Sequence, residues 1–163
     1  MKPGDHPEFF RLPPPPGRSR ESTIVLSKEG RFFHDGAPVE HPGMQRAFAS
    51  WLTRHPDDGR YILSNGYDWS YLTVEGPARF VHAVRDVDGR PQLVLFDGSE
   101  RTLDPAALRV DASGRLAVSL GDGEPAGFTP AAQLQLSPWL SEENGSIGTL
   151  VAGVFSPIQP GGS

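Results

Sequence analysis

The sequence predicts an α+β protein, mostly antiparallel sheet, with one strong amphipathic helix and two related lobes of sheet plus helix. Three observations carry this. Asp-Gly or Asn-Gly pairs at 35–36, 65–66, 88–89 and 97–98 separate short apolar runs, as tight hairpin turns do. Within 42–55, Met44, Ala47, Phe48, Trp51 and Leu52 fall at i, i+3, i+4, i+7 and i+8, one stripe of a helix. The order Phe33-His34-Asp35-Gly36 then Pro42 is echoed by Phe96-Asp97-Gly98 then Pro105, and Gly59–Ser64 is echoed by Gly114–Ser119. The 19 Gly and 17 Pro fit a chain of many turns.

Residues 1–21, with Pro13–Pro16, read as a proline-rich flexible tail of extended geometry whose Phe9 and Phe10 tuck against the body. The lobes are expected at 22–87 and 88–158, with a flexible end at 159–163. Thr23–Leu26 is a β-branched and apolar strand, and Lys28-Glu29-Gly30 turns it into Arg31–His34. Asp35-Gly36 suits a type I′ turn, and Pro38 restricts the return strand to an edge, because it has no N–H to donate. The helix is expected over 42–55: Pro42 fits the first turn, and Arg54 and His55 suit the negative end of the dipole. Pro56-Asp57-Asp58-Gly59 ends it.

Arg60–Ser64 then forms a strand, Asn65-Gly66 turns, and 67–75 form another, with Tyr67, Trp69, Tyr71 and Thr73 on one face. Phe80–Val84 and Gln92–Phe96 are strands joined at Asp88-Gly89, and a further strand runs to Leu103 before a short helix opened by Asp104-Pro105. Residues 130–143 hold either one kinked helix or a strand followed by a helix at Pro138, which cannot continue an uninterrupted helix. Leu150–Phe155 is a closing strand.

Gly30–Gly36, Phe48, Gly59–Leu63, Leu72-Thr73-Val74-Glu75 with Pro77, and Gly153–Ser156 together resemble the bacterial domain-of-unknown-function 1285 family. The resemblance covers most of residues 24–158 and is strongest in the first half. It implies two similar lobes, loosely like pleckstrin-homology domains, and a role in signal transduction, with no established activity. Ser64-Asn65-Gly66-Tyr67-Asp68 departs from the family, which shows Thr-Pro and a Glu there.

Composition narrows the function classes. A net charge of −5 with no basic run disfavours a nucleic-acid backbone as partner. The absence of cysteine removes disulfides, thiolate ligands and a cysteine nucleophile, and it fits a reducing compartment. With no apolar run of signal-peptide type or of membrane-spanning length, the expected location is cytoplasmic.

No Gly-x-Ser-x-Gly elbow and no phosphate-cradling loop is present, and Lys28 is the only lysine beyond the tail. We therefore expect no catalytic residues, no metal and no cofactor. Asn144-Gly145-Ser146 matches a glycosylation acceptor without a secretory context. The candidate binding residues are Tyr67, Trp69 and Tyr71, an aromatic face able to stack on a ligand or anchor a peptide, with Arg60 supplying charge. The alternative for that face is core packing against the second lobe.

The function expected is a non-enzymatic binding or signalling module for a protein partner or small ligand. One alternative is a small hydrolase or metal-assisted enzyme built on His34, His41 and carboxylates such as Asp35 or Glu40. The other is a homo-oligomeric scaffold, a homodimer through the edge at Pro38 included.

Overall fold

A computed structural model describes residues 2–122 and 124–161. The chain is α+β and divides into two units, Met1–Gly76 and Pro77–Ser163. The division falls earlier than residue 87 because the strand expected at 80–84 runs over Arg79–Val87 and pairs with the strands that follow it.

The first unit contains two sheets. β1 (Val25–Leu26), β2 (Phe32–His34), β3 (Ala37–Pro38) and β7 (Thr73–Val74) line up as β3-β2-β1-β7. Asp35 and Gly36 both take positive φ, 52° and 78°, as a type I′ turn requires. The second sheet, β4-β5-β6, comprises Leu52–Arg54, Tyr61–Ser64 and Trp69–Tyr71.

Between them α1 covers Pro42–Trp51 and buries Phe48, whose ring meets Phe32 edge-on at 5.4 Å. Its N-terminus is capped by His41, whose Nδ1 accepts from the Met44 N–H at 3.3 Å. The helix stops at Trp51, four residues short of the expected His55. Leu52, Thr53 and Arg54 pair instead with Leu63, Ile62 and Tyr61, and that ladder outweighs local helix preference. The single strand expected over 67–75 is likewise two. β6 pairs with β5, β7 runs parallel to β1, and Leu72, buried between them, carries the chain from one sheet to the other.

The second unit is built on a seven-stranded sheet, ordered β10-β9-β8-β13-β12-β11-β17. Here β8 is Arg79–Val87, β9 Arg90–Leu95, β10 Glu100–Thr102 and β11 Leu108–Val110. β12 is Leu116–Val118, β13 Ala126–Phe128 and β17 Gln159–Pro160. β8 and β13 are parallel, with Phe80 opposite Gly127, and the remaining pairs are antiparallel except β11 with β17.

α2 (Pro130–Leu136) is capped by Thr129 and turns Ala132 and Leu136 into the core beside Val81, Leu93, Leu108 and Phe128. A 3-10 turn at Ser137–Trp139 absorbs Pro138, and the chain continues as a three-stranded sheet of β14 (Leu140–Glu143), β15 (Ser146–Val151) and β16 (Val154–Pro157). Asn144-Gly145 is therefore a hairpin turn, both residues at positive φ. Pro105–Ala107, the expected counterpart of α1, is only a 3-10 turn.

Both terminal segments carry regular structure where flexible ends were expected, while Phe9 and Phe10 pack against the body as expected. Pro3–Asp5 and Pro7–Arg11 form 3-10 helices, with Phe9 buried in the first unit, and Gln159–Pro160 is paired with β11. Residues 162 and 163 of the expected flexible end lie outside the described residues.

Candidate functional site

The β5–β6 hairpin sets Ser64 opposite Trp69 and Ile62 opposite Tyr71, so these side chains share one face. That face is covered from within the first unit. Phe9, Ile62 and Trp69 form a buried cluster with Phe10 and Tyr71 packed on it, and Trp69 is only 6% exposed. The rings of His55 and Tyr71 lie 5.0 and 5.1 Å from the Trp69 indole, both edge-on. The Arg20 guanidinium stacks over the same indole at 4.5 Å while donating to Asp68 at 2.6 Å and to the Trp69 carbonyl at 2.9 Å. The cover is thus the N-terminal segment, whose Phe9 and Phe10 supply apolar area that Trp69 alone would leave wet.

Of the four residues expected from the sequence, Trp69, Tyr71 and Arg60 come together and Tyr67 does not. Tyr67 sits on the Asn65–Asp68 turn, 67% exposed, with the Lys2 ammonium 5.7 Å from its ring. Arg60 stacks on Tyr71 at 3.7 Å and forks onto Glu21 at 2.9 and 3.0 Å. The Tyr71 hydroxyl donates to Asp58 at 2.7 Å, and Asp58 also accepts from the Arg60 N–H at 2.9 Å. His55 accepts from the Asp57 N–H through Nδ1 at 3.1 Å, which leaves Nε2 to donate to the Phe10 carbonyl at 2.9 Å. The imidazole is neutral in that tautomer.

This arrangement is poorly suited to proton transfer. The Tyr71 hydroxyl, bonded to Asp58, is held above the ordinary phenol range, and the same bond holds the Asp58 carboxyl below the ordinary carboxylate range. Arg60 similarly lowers Glu21. Each group is pushed further into the charge state it already has at neutral pH, whereas a general acid or base needs the opposite displacement. The network fixes a surface instead.

Sequence reasoning paired His34 with His41. In the structure His41 caps α1, and His34 is 3.6 Å from Asp35 on an exposed turn. Among the described residues no three His, Cys, Asp or Glu side chains are grouped to hold a metal ion. Arg79 and Arg85 belong to the second unit, bonded to Asp122 and Glu100.

That unit holds an open groove that nothing in the sequence singled out. It has a volume of about 530 Å³ and is lined mainly by Val110, Leu116, Leu140, Ile147, Pro157 and Ile158, with Gln133, Ser146 and Gln159 as its polar members. The Gln133 amide is already used at both ends, accepting from the Leu116 N–H and donating to the Gly114 carbonyl, each at 2.9 Å. Ile147 is 53% exposed at the groove and Leu134, on the nearby α2, is 73% exposed. Burial along β15 does not alternate, with Gly148 and Thr149 both buried between exposed Ile147 and Leu150, so only the tertiary fold shows which side chains line the hollow.

These features define a two-unit α+β protein with mostly antiparallel sheets, a closed aromatic cluster in one unit and an open apolar groove in the other. Its fold is that of the domain-of-unknown-function 1285 proteins. A crystal structure of a DUF1285 family protein from Silicibacter pomeroyi DSS-3 matches 91% of this chain and 84% of its own, with a TM-score of 0.59 and 20% identity. One of a DUF1285 family protein from Shewanella baltica OS155 matches 74% of this chain and 94% of its own, with a TM-score of 0.52 and 14% identity. No family model and no curated protein matches the chain.

Proposed function

We propose that the protein is a non-enzymatic binding module that recognises a protein partner through the groove of the second unit. The observation that carries this is the lining: a hollow of about 530 Å³ walled mostly by apolar residues, with Ser146 and Gln159 as polar neighbours and the Gln133 amide committed to Leu116 and Gly114. Such a wall supplies mainly burial and shape, and apolar hollows with few polar groups are the usual seat of a ligand. Ile147 is half exposed at the hollow and exposed Leu134 lies beside it, an apolar surface that suits a side chain of a longer segment better than a free small molecule. The family resemblance points toward signalling, and the cysteine-free composition fits action in the cytoplasm.

Peptides selected from a random displayed library against the native protein test this. Apolar peptides that bind saturably and lose affinity on Ile147→Glu are the expected result. Recovery of no binder, or binders indifferent to Ile147→Glu, would overturn the reading. Because Ile147 is exposed, the substitution leaves the fold intact.

A further inference from the structure

The N-terminal segment is seated on the first unit as a bound peptide is seated on a receptor. Phe9 is buried against Ile62 and Trp69, and the Phe10 ring lies 5.9 Å from His55 and 6.2 Å from Trp69. The Phe10 carbonyl accepts from His55 at 2.9 Å. Arg11 forks onto Asp57, with Nε 3.0 Å from Oδ2 and Nη2 2.8 Å from Oδ1. Glu8 and Leu12, on either side of these anchors, are exposed.

Two aromatic anchors, one main-chain bond and one bidentate charge pair make a compact recognition pattern. The residues that receive Phe9, Phe10 and Arg11, namely His55, Asp57, Ile62 and Trp69, come from a single stretch, and the linking 12–19 is mostly exposed, with Arg20 donating to the Pro13 carbonyl at 3.1 Å. Their contacts do not depend on that covalent link. The segment also leaves one deficit. The Trp69 indole N–H is buried yet has no acceptor among the described residues. An occupant that brought a carbonyl or hydroxyl to it would fit better than the chain's own.

We propose that this cradle is a recognition site for a linear segment of a partner protein carrying two adjacent aromatics followed by arginine, and that Phe9-Phe10-Arg11 occupies it in cis as a built-in competitor. A short tether gives the cis segment an effective concentration in the millimolar range, so a partner gains access in proportion to the fraction of molecules whose own segment is released. Recognition is thereby tuned by the strength of the Arg11–Asp57 and Phe9–Trp69 contacts. This site is separate from the groove of the second unit and stands or falls independently of it.

The test uses a fluorescein-labelled synthetic peptide of residues 2–13 and full-length protein, read by fluorescence polarisation. The Phe9→Ala/Phe10→Ala/Arg11→Ala variant, folded by circular dichroism, is expected to bind the peptide saturably and at least about tenfold more tightly than the wild type. A peptide with both phenylalanines replaced by alanine is expected not to bind.

Should that variant fail to fold, Arg11→Glu decides, since Arg11 is exposed and its reversal repels Asp57 without opening the core. It is expected to bind the peptide several-fold more tightly than the wild type. A folded variant that binds no better than the wild type would overturn the proposal. So would a wild-type mass, by light scattering, of twice the monomer that Arg11→Glu halves, because the cradle would then hold the segment of a second copy.

Discussion

The Arg60 guanidinium stands 3.7 Å from the centre of the Tyr71 ring, and the Tyr71 hydroxyl reaches past it to Asp58 at 2.7 Å. One tyrosine thus joins an arginine that forks onto Glu21 to the loop that carries His55. Arg60→Lys keeps the charge but loses both the planar stack and the fork. A lower thermal midpoint is expected, with a smaller shift than for any substitution in the buried cluster beneath, because Arg60 is half exposed. Differential scanning calorimetry of Arg60→Lys beside Trp69→Ala checks the order.

Trp69 is that buried cluster's largest member. Truncation to alanine removes its contacts with Ile62, Phe9 and Phe10 and opens a cavity the surrounding strands cannot close. Trp69→Ala should cost about 3–5 kcal/mol in urea unfolding, in the range of large aromatic truncations. A loss below about 1 kcal/mol would mean that the indole is not core.

Asp122 accepts from Arg79 at 2.9 Å and from Arg101 at 2.5 Å, and these two arginines lower its carboxyl to about 2 from an ordinary 3.8. A depressed folded-state pKa means that the unfolded chain binds the proton first. The stabilisation is therefore complete above about 3.8 and is lost as the pH falls through about 2. Asp122→Asn should flatten the pH dependence of stability between those values, measured by denaturant midpoints; an unchanged slope would show that the pair contributes nothing there.

Gly148 lies under the Phe155 ring. A Cβ placed on it would meet the Ser156 carbonyl oxygen and come within 2.6 Å of the ring edge, and backbone on one side leaves little room for relaxation. Gly148→Ala is expected to destabilise the second unit by about 1–3 kcal/mol, as overpacking does. A crystal structure of the variant with Phe155 undisturbed and full stability would refute this.

Local chemistry made part of the fold legible. Asp35-Gly36 and Asp88-Gly89 are tight turns at positive φ because that dipeptide tolerates the conformation, and the periodicity of Met44–Trp51 produced its helix. What failed was decided at a distance. Leu52–Arg54 leave the helix to pair with β5, and Leu72 splits one aromatic strand between two sheets, neither of which is encoded in the neighbouring residues. Asn144-Gly145, read as part of a modification motif, had carried an overlooked hairpin signal.

At the candidate sites, the alternating aromatics correctly associated Trp69 with Tyr71. What covers them, Phe9 and Phe10, lies across a proline-rich stretch, and the groove depends on residues from α2, β11, β12, β15 and the chain after β16. Neither convergence leaves a periodic trace.

The parallel pairing of β11 with β17 also gives the chain a direction in time. Every strand pair of the first unit is available once Val74 has left the ribosome, whereas the edge at Arg109 and Val110 waits for Gln159 and Pro160. Synthesis proceeds from the N-terminus, and long-range pairings close late. The aromatic cradle should mature on the nascent chain well before the sheet edge at β11, which needs Gln159 and Pro160 to have emerged. Proteolysis of stalled nascent chains would show the first unit protected while the second is still cut, and simultaneous protection of both would contradict that order.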